Sequence, residues 1–447
     1  MAQGETILVD ELIDRQPLTG RNYFILGVLL LALTCDGFDL QLVAFAAPRI
    51  AKAWGIAPEA LKFAQVANLL GMMFGAMLLG NLGDRLGRKR VIVTGTLLYG
   101  LTAFACLLAH TPQQLSLIRF CTGLGLGGVL PNVIALAAEI SPVAQRARLT
   151  SIPIIGMSLG SGLPAVVAAW LVPHFGWQAL FVAGGIVPVA VAVTVMALLP
   201  ESLLFLVFRD GDRATIAARV RELDPRAPVD ANFSLRGRLS ASRGSIPDLF
   251  AGSLKFTTPL LWLMFACTLL SMHFLNSWIS VILNKAGLSE VQTALTNGAL
   301  HWGGTVAAVA TVFVLGRMGL RWALLLLLLG FAGCLIIATT GFGAAPLLTT
   351  AVCMAGFGII GCQGVLNAAA GLVYPVSCRP TGAGAALGIG RIGSLSGPLV
   401  GAWVLAQDWP SQRMFYVPLL PLAIAAAATL LLIARGVQLR GETAVTR

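Results

Sequence analysis

Apolar residues run through this chain in long blocks separated by short polar punctuation. Blocks at 24–48, 60–82, 91–110, 113–139, 149–173, 178–200, 258–283, 290–315, 322–342, 345–372, 381–405 and 412–434 each offer the ~20 helical residues that a bilayer crossing requires. A spanning barrel would instead alternate over about ten residues, and no such alternation occurs. The pattern predicts an all-α membrane protein with twelve transmembrane helices in two pseudo-symmetric six-helix bundles. The longest polar stretch divides the chain into 1–200, a linker at 201–257, and 258–447. Within the linker, ATIAARVREL places Ile216, Val220 and Leu223 on one helical face. A short amphipathic helix followed by a Ser/Arg/Gly-rich tether is expected there.

Composition agrees with this reading: 57% of residues are hydrophobic and only 11% charged, against about a quarter charged in soluble chains. The net charge of +11 is no nucleic-acid signal once the cations are placed. They crowd into the termini, the linker and alternate loops, while the opposite loops hold only Arg49, Lys52, Lys62, Lys285 and Arg413. Positive residues stay inside, so both termini are expected in the cytoplasm. Eight scattered cysteines form no C-x-x-C pair, and neither a cofactor nor a metal site is expected. An enzyme would need an H-E-x-x-H helix or a G-x-S-x-G nucleophile turn; neither is expected.

The halves read as repeats. GLGLGG at 123–128 parallels GFGIIG at 356–361, Arg146 falls on Arg379 at the same offset, and Asn132 answers Asn367. Parallel repeats around a central site are the arrangement of alternating-access carriers. GNLGDRLGRKR at 80–90 resembles the signature loop of the major facilitator superfamily. Asp84, Arg85 and Arg88 there suit a charge latch that pairs in one state and releases in another, with Glu139 as partner. The second-half copy has Gly316 in place of the acid, so the latch is expected to be weaker there.

DGFDL (36–40), the stretch from Arg119 to Asn132, HWGG (301–304) and GIGRIGSLSGP (388–398) together resemble the aromatic acid:proton symporters. That resemblance implies a bacterial inner-membrane carrier importing benzoate-like or phenylpropanoid carboxylates with protons; a functional monomer is expected. It also marks Asp36, Asp39, Asp84, Arg85, Arg119, Glu139, His301, Arg379 and Arg391 as important positions.

The residues add their own argument. Asp36 and Asp39 lie ~18–22 Å into their helix, and Arg119, His301 and Arg391 fall near the same depth. Intramembrane ionisable groups mark ion and substrate paths. Two nearby acids resist joint ionisation, which suits proton coupling, with a static Asp–Arg119 ion pair as the alternative. His301 is a further proton-relay candidate. A guanidinium fork fits a carboxylate, and Arg391 is expected to hold the substrate unless Arg119 does. Asn132, Asn276, Gln363 and Asn367 are expected as polar substrate contacts, and Phe38 and Trp278 as ring contacts. His273 is expected to be structural. A dicarboxylate or sugar acid is the alternative cargo.

Overall fold

The computed structural model describes residues 6–437 apart from 143–144, 210–211, 225–227, 229–230, 235–245, 253, 344, 375–378 and 408. The first bundle holds α2 (Gly20–Trp54), α3 (Lys62–Leu86), α4 (Arg88–Ala105), α5 (Pro112–Glu139), α6 (Arg146–Phe175) and α7 (Gln178–Leu198). The second holds α10 (Leu254–Lys285), α11 (Glu290–Met318), α12 (Leu320–Thr340), α13 (Ala345–Val373), α14 (Arg379–Leu405) and α15 (Leu419–Ala434). Among the described residues, eleven of these helices are apolar enough to cross a membrane on composition alone. Glycine-rich α14, interrupted by Arg391, is the twelfth.

The helices stop where local chemistry stops them. Gly55 ends α2 in a left-handed conformation at φ +65°, which costs glycine little. Thr111 caps α5 by accepting the Gln114 N–H, with Pro112 at the first helical position.

Both halves pack alike. In the first, α2 lies on α6, α3 on α5, and α4 on both α5 and α7; in the second, α10 lies on α14, α11 on α13, and α12 on both α13 and α15. The repeated glycines carry this symmetry. A Cβ on Gly123 would stand 2.1 Å from the Asn68 carbonyl of α3, and one on Gly356 would stand 1.8 Å from the Leu300 carbonyl of α11. Small residues at these places let backbones touch.

The halves meet where α6 runs beside α11, α3 beside α14 and α2 beside α10. At the membrane face opposite the termini they are bolted by Arg49–Glu290 and by Lys285–Glu59 at 3.6 Å.

On the termini's face the linker is more than a tether. The expected amphipathic helix is α9 (Arg213–Leu223), preceded by α8 (Leu203–Phe208). Together with α1 (Val9–Arg15) they bury Val9, Ile13, Val207, Ile216 and Val220 in a small core of their own. A parallel pair, β1 (Thr6–Leu8) with β2 (Asn232–Ser234), joins the N-terminal segment to the linker. Arg21–Glu222 and Arg146–Asp14 tie this module to the first bundle. The Ser/Arg/Gly-rich stretch at 235–245 lies outside the described residues.

Candidate functional site

A narrow cavity of about 40 Å³ separates the bundles, room for a few waters and too small for an aromatic ring until the bundles part. The first bundle contributes Gln41 from α2, Gln65 and Asn68 from α3, and Arg119 from α5; α10 contributes His273, Asn276 and Ser277. Arg119 is 1% exposed. One terminal nitrogen sits 3.0 Å from Asp39 Oδ2 and the other donates to the Asp39 carbonyl at 3.3 Å, while Nε has no partner. The guanidinium is therefore held by Asp39 on one side and borders the cavity on the other.

The i, i+3 spacing of the two acids predicts that both face the cavity from one side of α2, but they do not look into it together. Three residues advance an ideal helix by about 300°, which leaves the two side chains roughly 60° apart. Asp39 turns to Arg119. Asp36, 3% exposed, turns to the Tyr99 hydroxyl of α4, close enough to interact but outside good hydrogen-bond geometry. Gly37 between them lets α6 approach: a Cβ there would fall 2.1 Å from the Met157 carbonyl.

Arg391 is partly exposed and has no hydrogen bond or ion pair among the described residues. His273, expected to be only structural, lines the cavity within electrostatic range of Arg391. His301 is buried on α11 with Nε2 unpartnered, its ring 6.5 Å from Phe45.

Other expected contacts are spent on packing. Asn132 donates to the carbonyls of Leu79 and Gly128, stapling α5 to α3. Trp278 is 1% exposed and its indole donates to the Pro398 carbonyl of α14; Phe38 is buried in the first bundle's core. In this conformation none of the three is free to meet a ligand. Gln363 donates to Asn367 Oδ1 on the half of α13 nearer the termini, away from Arg119. Asn276, by contrast, lines the cavity with both side-chain polar atoms unpartnered.

At the signature loop, Arg88 pairs with Glu139 at 3.1 Å. The Arg85 carbonyl accepts from Arg209 of the linker at 2.5 Å. The side chains of Asp84 and Arg379 lie outside the described part of the structure. Gly156 to Gly160 has the spacing G-x-S-x-G, but it lies inside α6 and not on a strand-to-helix turn, so it builds no nucleophile elbow.

Gln41, Gln65 and Asn68 escaped the sequence reading. Their signal was present: Gln65 and Asn68 stand three apart in an apolar span, hence on one helix side.

Two six-helix repeats with a polar cavity between them are the build of a secondary carrier. The profile of the Major Facilitator Superfamily matches residues 29–398, and the chain belongs to that family. The gallate transporter of Pseudomonas putida is 33% identical over 98% of this chain and 97% of its own length. The 4-hydroxybenzoate transporter PcaK of Pseudomonas aeruginosa is 34% identical over 96% of each. The 3-(3-hydroxy-phenyl)propionate transporter of Escherichia coli is 30% identical over 93% and 95%. Kinship with aromatic-acid transporters, read above from motifs, holds, and the family is one of carriers and not enzymes. A crystallised bacterial homologue of the human lysosomal transporter Spinster, inward-facing and occupied, matches with a TM-score of 0.68 at 16% identity, over 96% of this chain and 100% of that one. That likeness concerns the fold.

Proposed function

We propose that this protein imports an aromatic carboxylate, benzoate-like or phenylpropanoid, together with a proton across a bacterial inner membrane. The observation that carries the reading is Arg119, a buried cation shared between Asp39 and the cavity. A buried charge without a partner is costly. When Asp39 takes a proton, Arg119 loses its counter-ion and an organic carboxylate can replace it. The empty site (Asp39 ionised) and the loaded site (Asp39 protonated, substrate ionised) then carry the same charge. Proton alone or anion alone leaves the site unbalanced, and that imbalance couples the two.

Arg391 supports the same cargo from the other bundle, since a partly buried guanidinium without an acid partner among the described residues suits a carboxylate. Asp36 and His301, both buried, are assigned to proton handling. Arg88–Glu139, with Asp84, Arg85 and Arg379, is assigned to gating. The relatives' names, gallate, 4-hydroxybenzoate and hydroxyphenylpropionate carriers, support an aromatic acid over a dicarboxylate. The charge bias of the loops supports cytoplasmic termini, which makes the Arg49–Glu290 face the outer one. One chain contains both bundles, so a monomer suffices.

The test is uptake of radiolabelled 4-hydroxybenzoate into proteoliposomes under an imposed pH gradient. The unaltered chain accumulates it; Asp39→Asn exchanges label for unlabelled substrate but does not accumulate. Accumulation by Asp39→Asn would end the coupling role of this residue, and no accumulation of any aromatic acid by the unaltered chain would end the substrate class.

A further inference from the structure

Hydrogen-bond capacity in the cavity is mismatched in one direction. Gln65 Oε1, Asn68 Oδ1 and Asn276 Oδ1 are buried acceptors without partners, against two unpartnered donor groups, Asn276 Nδ2 and Arg119 Nε, the second of which belongs to the guanidinium that the carboxylate would take. Asn68 and Asn276 are 4% and 5% exposed. The Gln65 amide is oriented by its own bond, since Nε2 donates to the Ser277 carbonyl at 3.3 Å. Turned over, it would set oxygen against oxygen, so Oε1 stays an acceptor.

Buried polar groups are ordinarily satisfied, and three acceptors call for a ligand rich in donors. A carboxylate brings none and is drawn to the arginines. Phenolic hydroxyls bring one each, with an oxygen that can accept from Asn276 in return. We infer that Gln65, Asn68 and Asn276 form a subsite for ring hydroxyls, which makes polyhydroxylated aromatic acids the favoured cargo over benzoate itself. The inference rests on the transport reading above and narrows its substrate class.

The arrangement discriminates in the strong sense. A site built to bond a hydroxyl rejects an analogue that lacks it, because its own buried groups are then left unmatched. The amides come from both bundles, α3 and α10, so a hydroxylated ring also tethers the bundles across the cavity while benzoate does not.

The experiment measures uptake of radiolabelled 3,4-dihydroxybenzoate by cells producing the chain, competed by unlabelled benzoate, 4-hydroxybenzoate and 3,4-dihydroxybenzoate. For the unaltered protein the dihydroxy acid should compete at least about tenfold better than benzoate, a difference of about 1.4 kcal/mol, with the monohydroxy acid between. In Asn68→Leu and Asn276→Leu, each close to isosteric, that ratio should fall to within about threefold. The ratio is taken inside one variant, so a general loss of carrier cancels. The two sites lie on different bundles, so either variant serves if the other fails to reach the membrane. Equal competition by all three acids in the unaltered protein overturns the hydroxyl subsite while leaving aromatic transport standing. So does a ratio that survives both substitutions. Absence of any aromatic uptake by the unaltered protein overturns both readings.

Discussion

Arg49, near the end of α2, and Glu290, at the start of α11, close a guanidinium–carboxylate fork across the seam between the bundles. Arg49 Nε donates to Oε1 at 2.7 Å and its terminal N–H to Oε2. The side chains are 32% and 41% exposed, so the pair contributes no more than about 1 kcal/mol. That is still enough to shift a two-state balance by up to about fivefold. Glu290→Gln should therefore open this face more often. With the native cysteines replaced and a thiol placed at Ser277 beside the cavity, a membrane-impermeant maleimide added from this face should react up to about fivefold faster. Exchanging the charges, Arg49→Glu with Glu290→Arg, should restore the slow reaction. Unchanged labelling in Glu290→Gln would move the closure to Lys285–Glu59.

Within the membrane, the Arg119–Asp39 pair has no solvent to fall back on. Removing one partner of a buried pair costs about 3–5 kcal/mol, because the survivor stays buried and uncompensated. Arg119→Leu should accordingly lower the melting temperature of the purified carrier sharply. Asp39→Asn combined with Arg119→Leu leaves no lone charge and should melt above Arg119→Leu alone. Strictly additive losses across the cycle would mean that the two residues do not act as a pair.

How far these features were legible in the sequence depends on what each one needed. Span positions were readable because a bilayer admits only long apolar helices, and the predicted blocks lie close to the observed helices. The convergence of Asp39 and Arg119 was readable from depth alone, since each helix starts at a membrane face. Rotation about the helix axis was not readable. Phe38, Asn132 and Trp278 looked like cavity residues by type, yet they point into helix seams. Gln41 has no polar neighbour at helical spacing, yet it faces the cavity. A helix whose every side is apolar gives no moment to orient it. The β1–β2 pair joins Thr6 to Asn232, a contact between two polar stretches far apart in sequence with no local signature.

The module on the termini's face should respond to acid. Burial raises the Glu222 carboxyl's affinity for a proton, but the bonds from Arg21 and Arg219 outweigh it and hold the group below the ordinary glutamate range. A lowered pKa in the folded state means that the stabilising contribution is complete above the unfolded value, ~4.3, and is lost as pH falls through the lower folded value. Hydrogen exchange along α9, corrected for intrinsic rates, should stay slow at neutral pH and rise below about pH 4. Glu222→Gln should bring part of that rise to neutral pH. Exchange that is indifferent to both would leave the module held by its apolar core alone.

Gly37 offers a test in which packing and chemistry separate. A methyl there would stand 2.1 Å from the Met157 carbonyl and 2.9 Å from the Ser161 nitrogen. Both are backbone atoms on α6 that cannot rotate aside, so the helices must part. Overpacking of this kind costs about 1–3 kcal/mol, and Gly37→Ala should lower the melting temperature. Gly364 in α13 has nothing within 4 Å of the same position, so Gly364→Ala should match or raise the melting temperature through the roughly 1 kcal/mol better helix propensity of alanine. Transport should part the two variants further than stability does. Moving α2 off α6 shifts Asp36 and Asp39 against the fixed Arg119 of α5, so surviving Gly37→Ala carrier should show a lower uptake rate per folded molecule. Uptake that tracks folded yield one for one would mean that the position of α2 on α6 matters to packing and not to transport.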